Sequence, residues 1–242
     1  MPDLLLVALV SSAAALAAAF GVVPVLIRGA VSPRLGWANA LAAGIMLGIG
    51  YLLLRQGIAL APTAGVIGAI LGVALVWAGH QATNMDAVDL SDPLAVRDVS
   101  ARKLIIREGI HSAAEGIAIG MGFVVDPVLG LLLAGTIGLH NVAEGAALSA
   151  GFMARGASPA AAAALSAAAM LTHVPGAVGA AAFVSGSGRS WGLGFTAGAM
   201  LYLVFVELIP ESYRQRGHTG IAIAASAAMS IVVLMGALAT GG

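Results

Sequence analysis

The chain has 242 residues, of which 60% are hydrophobic and 9% are charged, and its formal net charge is +0. A soluble domain carries about 25% charged residues, so the composition excludes an ordinary soluble protein and predicts a single membrane domain over residues 1–242. The neutral charge gives a nucleic-acid partner no electrostatic support. The absence of cysteine excludes disulfides and thiolate metal ligands.

Apolar stretches of about 20 residues, long enough to cross a bilayer, recur along the chain. Pro, Gly and charged residues separate them. They predict an all-α polytopic membrane protein with eight transmembrane helices, at about 4–27, 37–57, 64–80, 103–124, 127–152, 157–184, 190–211 and 218–240. The one long connection, at about 81–102, carries Asp86, Asp89, Asp92 and Asp98. We interpret it as a solvated linker rather than an ion-collecting segment.

Basic residues are divided unequally between the two sides of the predicted helices. One side has only Arg55 and Arg189. Because cytoplasmic loops are rich in Lys and Arg, the other side is predicted to be cytoplasmic, which places both termini outside and loop 81–102 inside. The nine residues on that side are Arg28, Arg34, Arg97, Arg102, Lys103, Arg107, Arg155, Arg214 and Arg216.

The second and seventh predicted helices share a sequence pattern. WANALAAGIML begins at Trp37, and WGLGFTAGAML begins at Trp191. The charge distribution makes these two helices run in opposite directions, as it does the fourth and fifth. One inverted symmetry would then relate helices 1–3 to helices 6–8, and helix 4 to helix 5, as in many secondary transporters. The alternatives are chance similarity in an Ala/Gly-rich chain, or Trp used only as an interface anchor.

A second repeat lies inside the fourth and fifth helices, which read HSAAEG at 111–116 and HNVAEG at 140–145. Each copy places a His and a Glu four residues apart, on one helix face. A charge at such a depth costs roughly 2.5–3.5 kcal/mol, so these groups need a compensating partner. His111, Glu115, His140 and Glu144 therefore predict a divalent-metal site. Mixed nitrogen and oxygen ligation favours Zn²⁺, with Fe²⁺, Mn²⁺, Co²⁺ or Cd²⁺ acceptable on geometry.

Other polar groups in the helices are candidates for the same site or for a transport pathway. Asn141 could add an amide oxygen and Ser112 a hydroxyl, although either could instead join helices. His173 precedes Pro175, which can kink the sixth helix, and is a candidate further ligand or transit residue. Gly116 and Gly145 are expected to let the fourth and fifth helices approach closely. The remaining pathway candidates are Glu207, inside the seventh helix, and Glu108 and Glu211, near the cytoplasmic ends; His80 and His218 are assigned no role.

These residues resemble the ZIP family of divalent-metal transporters, most closely its bacterial zinc-transporter branch. The family's fourth and fifth helices carry HNxPEG-like motifs, which are similar to HSAAEG and HNVAEG here. Its seventh helix carries small residues, Met and then ELIPE, similar to 197–212 of this chain, and the AGIML of the second helix also fits. The resemblance covers nearly the whole chain.

The resemblance implies metal uptake across the cytoplasmic (inner) membrane through a 3+2+3 inverted-repeat fold. Helices 2, 4, 5 and 7 would form the metal-bearing bundle, which slides against a scaffold that forms a homodimer. The metal would be a transported substrate rather than a cofactor, and no prosthetic group is implied. The family's metal positions correspond to His111, Glu115, His140, Asn141 and Glu144.

The chain departs from the family pattern at three points. Ser112 stands where the family has Asn, which weakens a second, adjacent metal position. Ala114 and Ala143 stand where it has prolines, so the fourth and fifth helices are expected to be less kinked. Val174 stands where the bacterial branch has a Glu. A site for a pair of metals is therefore not expected.

Three functions remain open from the sequence. The first is uptake of a divalent transition metal, most simply Zn²⁺, by alternating access and without enzymatic activity. The second is an integral-membrane zinc hydrolase, in which the metal activates water. The third is a structural membrane protein whose polar groups only join helices. Ion flux, substrate turnover and the presence of bound metal distinguish them.

Overall fold

The computed structural model describes residues 2–28, 33–83, 101–186 and 188–239, and every regular element in these ranges is helical. We number the eight helices α1 to α8. Helix α1 runs from Leu4–Leu16 through a 3₁₀ turn, Ala17–Gly21, into Val22–Arg28. The others are α2 (Pro33–Leu60), α3 (Pro62–Thr83), α4 (Ala101–Val125), α5 (Pro127–Ala154), α6 (Pro159–Ala169 and His173–Phe183), α7 (Gly188–Leu203, Val204–Leu208 and Ile209–Arg216) and α8 (His218–Ala239).

The described helices fit a multi-pass membrane protein. Seven of them are long and apolar enough to cross a membrane. The exception is α4, which carries Arg107, Glu108 and Glu115 within its length. The predicted helices are found at these places, with ends that differ by up to five residues. Most of the predicted loop 81–102 lies outside the described residues.

Local sequence explains where several helices begin. Asp126 accepts hydrogen bonds from the backbone N–H groups of Val128 and Leu129 and so caps α5. Pro127 occupies the first turn of that helix, where its missing N–H costs nothing. Ser158 caps α6 in the same way, with Pro159 following it. These caps fix the short connections on either side of α5.

Two helices depart from regular α-helical geometry next to candidate residues. Helix α6 is interrupted at Met170–Thr172 and resumes at His173. Pro175 contributes to this break because it cannot donate a backbone hydrogen bond. Helix α7 contains a π-helical segment, Val204–Leu208, which carries Glu207 and is followed by Pro210. Helices α4 and α5, which lack the family's prolines, run without interruption.

Glycines bring several pairs of helices into backbone contact. A Cβ atom on Gly44 of α2 would overlap the carbonyl of Ala225 in α8, and one on Gly198 of α7 would overlap that of Ala69 in α3. Small residues permit this closeness, which is how membrane helices pack without a hydrophobic driving force.

The expectation that Gly116 and Gly145 bring α4 and α5 together was wrong. Gly116 lies against the backbone of His173 in α6, and Gly145 lies against that of Ala18 in α1. The candidate ligand residues of the two motifs therefore face each other. The glycines of the motifs pack instead against α6 just after its interruption and against the 3₁₀ turn of α1.

Residues matched by the α2–α7 sequence pattern have matched environments. Trp37 and Trp191 are 40% and 41% exposed, which suits interface anchors. Met46 and Met200 are both buried in the main apolar core, with Ala43 and Ala197. Matched positions of the pattern therefore have the same packing environment in both helices.

Candidate metal-binding site

The four motif residues meet between α4 and α5. His111 and Glu115 come from α4, and His140 and Glu144 come from α5. The two imidazole rings are stacked, with centroids 6.0 Å apart and planes 26° from parallel. We call His111, Glu115, His140 and Glu144 the motif cluster. The antiparallel HxxxE stripes expected from the sequence are thus brought face to face.

Nitrogen and oxygen atoms alternate around the cluster at similar distances. His111 Nε2 lies 3.4 Å from Glu115 Oε1 and 3.9 Å from Glu144 Oε1. His140 Nε2 lies 3.6 Å from Glu115 Oε1 and 3.5 Å from Glu144 Oε2. Tetrahedral Zn²⁺ with bonds near 2.0–2.1 Å holds neighbouring ligand atoms about 3.3 Å apart. A small inward movement of these side chains would reach that spacing.

Three of the four residues bring one ligand atom each into a small volume. One ligand atom each from His111, His140 and Glu144 lies within 4.8 Å of the others. Glu115 approaches both imidazoles but is not part of this group. Glu115 Oε1 lies near enough to both imidazoles to act as a fourth ligand.

The cluster is buried and poor in hydrogen bonds. His111, Glu115 and His140 are buried, and the Glu144 side chain is only 11% exposed. Among the described residues, neither ring nitrogen of either histidine has a hydrogen-bond partner; nor does either Glu115 carboxylate oxygen or Glu144 Oε2. Buried polar groups are nearly always satisfied, so such a concentration of unsatisfied ligand atoms fits a cation-binding site.

Ser112 and Asn141, which follow the two histidines, hold neighbouring helices. Ser112 donates a 2.8 Å hydrogen bond to the carbonyl of Met170, at the break in α6, and also contacts His173 Nδ1. Asn141 donates a 2.9 Å hydrogen bond to the carbonyl of Ala14 in α1. Among the residues that the structure describes, none hydrogen-bonds to the buried Oδ1 atom of Asn141, which is therefore still available as a ligand.

His173 reaches the cluster from α6. Its Nε2 lies 3.1 Å from Glu115 Oε2 and 3.4 Å from Asn141 Nδ2. Its Nδ1 lies 2.6 Å from the carbonyl of Met170, to which it must donate a proton. The contact with the Met170 carbonyl thus orients the ring so that its Nε2 atom faces the motif cluster.

The three acidic pathway candidates lie in different surroundings. Glu207 contacts the cluster, with Oε2 3.4 Å from His111 Nδ1. Glu108 is fully buried and contacts Arg107. Glu211 pairs with Arg214 on its own helix at 2.6 Å, near the end of α7.

Comparison with known proteins places this arrangement in a family. Residues 77–241 match the family model described as ZIP Zinc transporter, a match that includes both motifs. The chain belongs to the ZIP family. The resemblance inferred from the motifs is therefore confirmed, and the hydrolase alternative loses support because ZIP proteins are transporters rather than enzymes.

Two curated relatives agree with this assignment. Zinc transporter GufA of Myxococcus xanthus is 45% identical over 121 residues, which is 48% of this chain and 46% of the relative. A provisionally named zinc transporter of Arabidopsis thaliana, At3g08650, is 31% identical over 97% of this chain and 38% of its own length. The chain thus spans less than half the length of either of these relatives.

Two residues beside the ZIP motifs were missed by sequence reasoning. Arg107 was counted only among the basic residues of the cytoplasmic side, but its side chain is buried and contacts both Glu108 and Glu207. His80 was assigned no role, but its Nε2 lies 2.6 Å from Glu207 Oε1. A signal for Arg107 was present, because it precedes His111 by four residues and so shares its helix face. For His80 there was none, since its neighbour is distant in the chain.

Proposed function

We propose that this protein carries a divalent transition-metal ion, most simply Zn²⁺, across the cytoplasmic membrane, and that the ion binds the motif cluster. The observation that carries the proposal is the set of buried, unsatisfied nitrogen and oxygen atoms contributed by His111, Glu115, His140 and Glu144. Two carboxylates balance the charge of one divalent ion. Imidazole with carboxylate suits Zn²⁺, with Cd²⁺, Co²⁺, Fe²⁺ and Mn²⁺ as further candidates. Asn141 Oδ1 is the candidate additional ligand.

Helix packing supports a 3+2+3 inverted repeat as the framework for alternating access. The contacts of α2 with α8 and of α7 with α3 use Gly44 and Gly198, which occupy the same position in the α2–α7 pattern. The contacts of α5 with α1 and of α4 with α6 use Gly145 and Gly116, which end the two HxxxEG motifs. One symmetry, which relates helices 1–3 to helices 6–8 and helix 4 to helix 5, converts the α2–α8 contact into the α7–α3 contact. The same symmetry converts the α5–α1 contact into the α4–α6 contact. Sites at such repeat interfaces are typical of secondary transporters.

The orientation that we propose places both termini outside and the 81–102 connection in the cytoplasm. Arg107 is buried and does not contribute to the charge of a loop. The other basic residues are still divided very unequally between the two sides of the membrane. With this orientation, Glu108 and Glu207 lie on the cytoplasmic side of the motif cluster, as expected for residues that receive an ion during uptake. From the family resemblance we also propose that the protein forms a homodimer and lies in the inner membrane.

A structural role for the polar groups has less support than transport. Residues that only join helices satisfy one another's hydrogen bonds, as Ser112 and Asn141 partly do. The ring nitrogens of His111 and His140 do not. An apolar packing residue at either position would avoid the desolvation cost, so a purely structural account leaves these imidazoles unexplained.

Zinc influx into proteoliposomes loaded with a fluorescent zinc indicator tests the proposal. Wild-type protein should give saturable influx, and His140→Ala should abolish it. His218→Ala is the matched control, because His218 is exposed at the start of α8. Influx that persists in His140→Ala would refute the site. Stoichiometric zinc binding without influx would instead indicate a sensor or a hydrolase.

A further inference from the structure

A second group of charged side chains lies beside the motif cluster. His80 of α3, Arg107 and Glu108 of α4, and Glu207 of α7 form this group, which we call the arginine cluster. The Arg107 guanidinium donates to the Glu108 carboxylate and also pairs with Glu207. The planar guanidinium has donors in several directions, so one arginine can hold two carboxylates at once.

The arginine cluster is continuous with the motif cluster. Glu207 contacts His80 through Oε1 and His111 through Oε2. Glu207 also sits in the π-helical segment of α7, a distortion that is frequent at functional sites. The two clusters therefore share one polar interior.

The charges in this interior call for more than one cation. Glu108, Glu115, Glu144 and Glu207 are four carboxylates that are mostly buried. One divalent ion on the motif cluster balances only two of them. Leaving a buried carboxylate without a cation costs several kcal/mol. Arg107 contacts the other two and supplies one further positive charge, so the ion and the guanidinium together offset three of the four negative charges.

We propose that Arg107 is a built-in cation that takes the place of a second metal ion, so that the protein binds one divalent ion where its ligands would otherwise hold two. Without the guanidinium, His80, Glu108 and Glu207 present one imidazole and two carboxylates, a donor set that suits a divalent transition metal. Arg107 thereby sets how many ions the interior holds. This inference rests on the proposed function, since it assigns the first ion to the motif cluster.

Zinc content of purified protein after equilibrium dialysis tests the inference. Wild type is expected to hold about one zinc ion per chain, and Arg107→Gln about two. Arg107→Met, which fills a similar volume without hydrogen-bond donors, should also hold about two. Arg107→Lys keeps the charge and should hold about one. Arg102→Gln, an exposed neighbour on α4, is the matched control and should match wild type.

The double variant Arg107→Gln/His140→Ala separates this inference from the proposed function. It should keep about one ion, on the arginine cluster, while His140→Ala alone should hold none. Two results would overturn the inference. One is a wild-type chain that binds two zinc ions, and the other is an Arg107→Gln protein that remains monodisperse and binds only one zinc ion. A wild type that binds no zinc would contradict the proposed function; a gain of one ion in Arg107→Gln would still support the role of Arg107.

Discussion

Glu115 Oε2 lies 3.1 Å from His173 Nε2, while the other oxygen of the same carboxylate faces His111 and His140. Helix α6 thus reaches the motif cluster through one imidazole, which the carbonyl of Met170 orients from behind. A residue outside the two repeated motifs therefore determines how one of the motif carboxylates is presented.

Removing His173 should weaken zinc binding without abolishing it. Loss of a side chain that orients a ligand typically costs 10–100-fold in metal affinity, so we expect His173→Leu to raise the zinc dissociation constant by roughly that factor. His173→Gln, which keeps polar atoms near Glu115, should lose less. Titration calorimetry in detergent measures both. Equal, complete loss in the two variants would indicate that His173 is itself an indispensable ligand.

Glu144 should be essential because it is one of the two carboxylates of the motif cluster. Glu144→Ala removes a carboxylate and leaves His111 and His140 facing each other, so binding and transport should both be lost. The vesicle influx assay measures transport, and zinc content measures binding. His218→Ala serves as the control, because His218 is exposed at the start of α8. Normal influx in Glu144→Ala would show that the site assignment is wrong.

Glycine substitutions test whether the close contacts between helices contribute to the stability of the protein. A Cβ at Gly145 would overlap the backbone of Ala18, whereas one at Gly135 on the same helix meets nothing within 4 Å. We expect Gly145→Ala to destabilise the protein by about 1–3 kcal/mol through overpacking. Gly135→Ala should be neutral or stabilising, because alanine favours helix by up to about 1 kcal/mol. Thermal unfolding in detergent compares the two.

The symmetry predicts a matched pair of effects. Gly44→Ala and Gly198→Ala should lower the unfolding temperature by similar amounts, since each would push a backbone carbonyl of the partner helix. The same unfolding measurement applies, with Gly179→Ala as the control because its Cβ would also meet nothing within 4 Å. A large effect at one position and none at the other would argue against equivalent packing.

Metal competition should follow ligand chemistry. The motif cluster offers two imidazoles with its carboxylates, and hard cations that prefer all-oxygen surroundings gain little from imidazole. Excess Mg²⁺ or Ca²⁺ should therefore leave zinc influx nearly unchanged, whereas Cd²⁺ and Co²⁺ should reduce it. Strong inhibition by Mg²⁺ would mean that the ion is recognised by carboxylates alone. Influx with the zinc-specific indicator at fixed zinc concentration makes the comparison.

The sequence by itself determined the helical framework and the motif cluster. Runs of apolar residues fix where a chain can cross a bilayer, because an unpaired backbone in lipid is too costly. The fourth helix was predicted in the same way, although Arg107, Glu108 and Glu115 lie within it. Periodicity then placed His111 with Glu115, and His140 with Glu144, on single helix faces.

The tertiary structure decided which helices the remaining polar residues and glycines contact. The sequence could not tell that Gly116 and Gly145 face α6 and α1, because helix periodicity gives a direction but not a partner. Nor could it show that Arg107 turns inward to Glu207, a hundred residues later, or that Ser112 bonds to α6 rather than to the motif cluster. Such contacts depend on the rotation of each helix about its axis, which packing against several neighbours sets together.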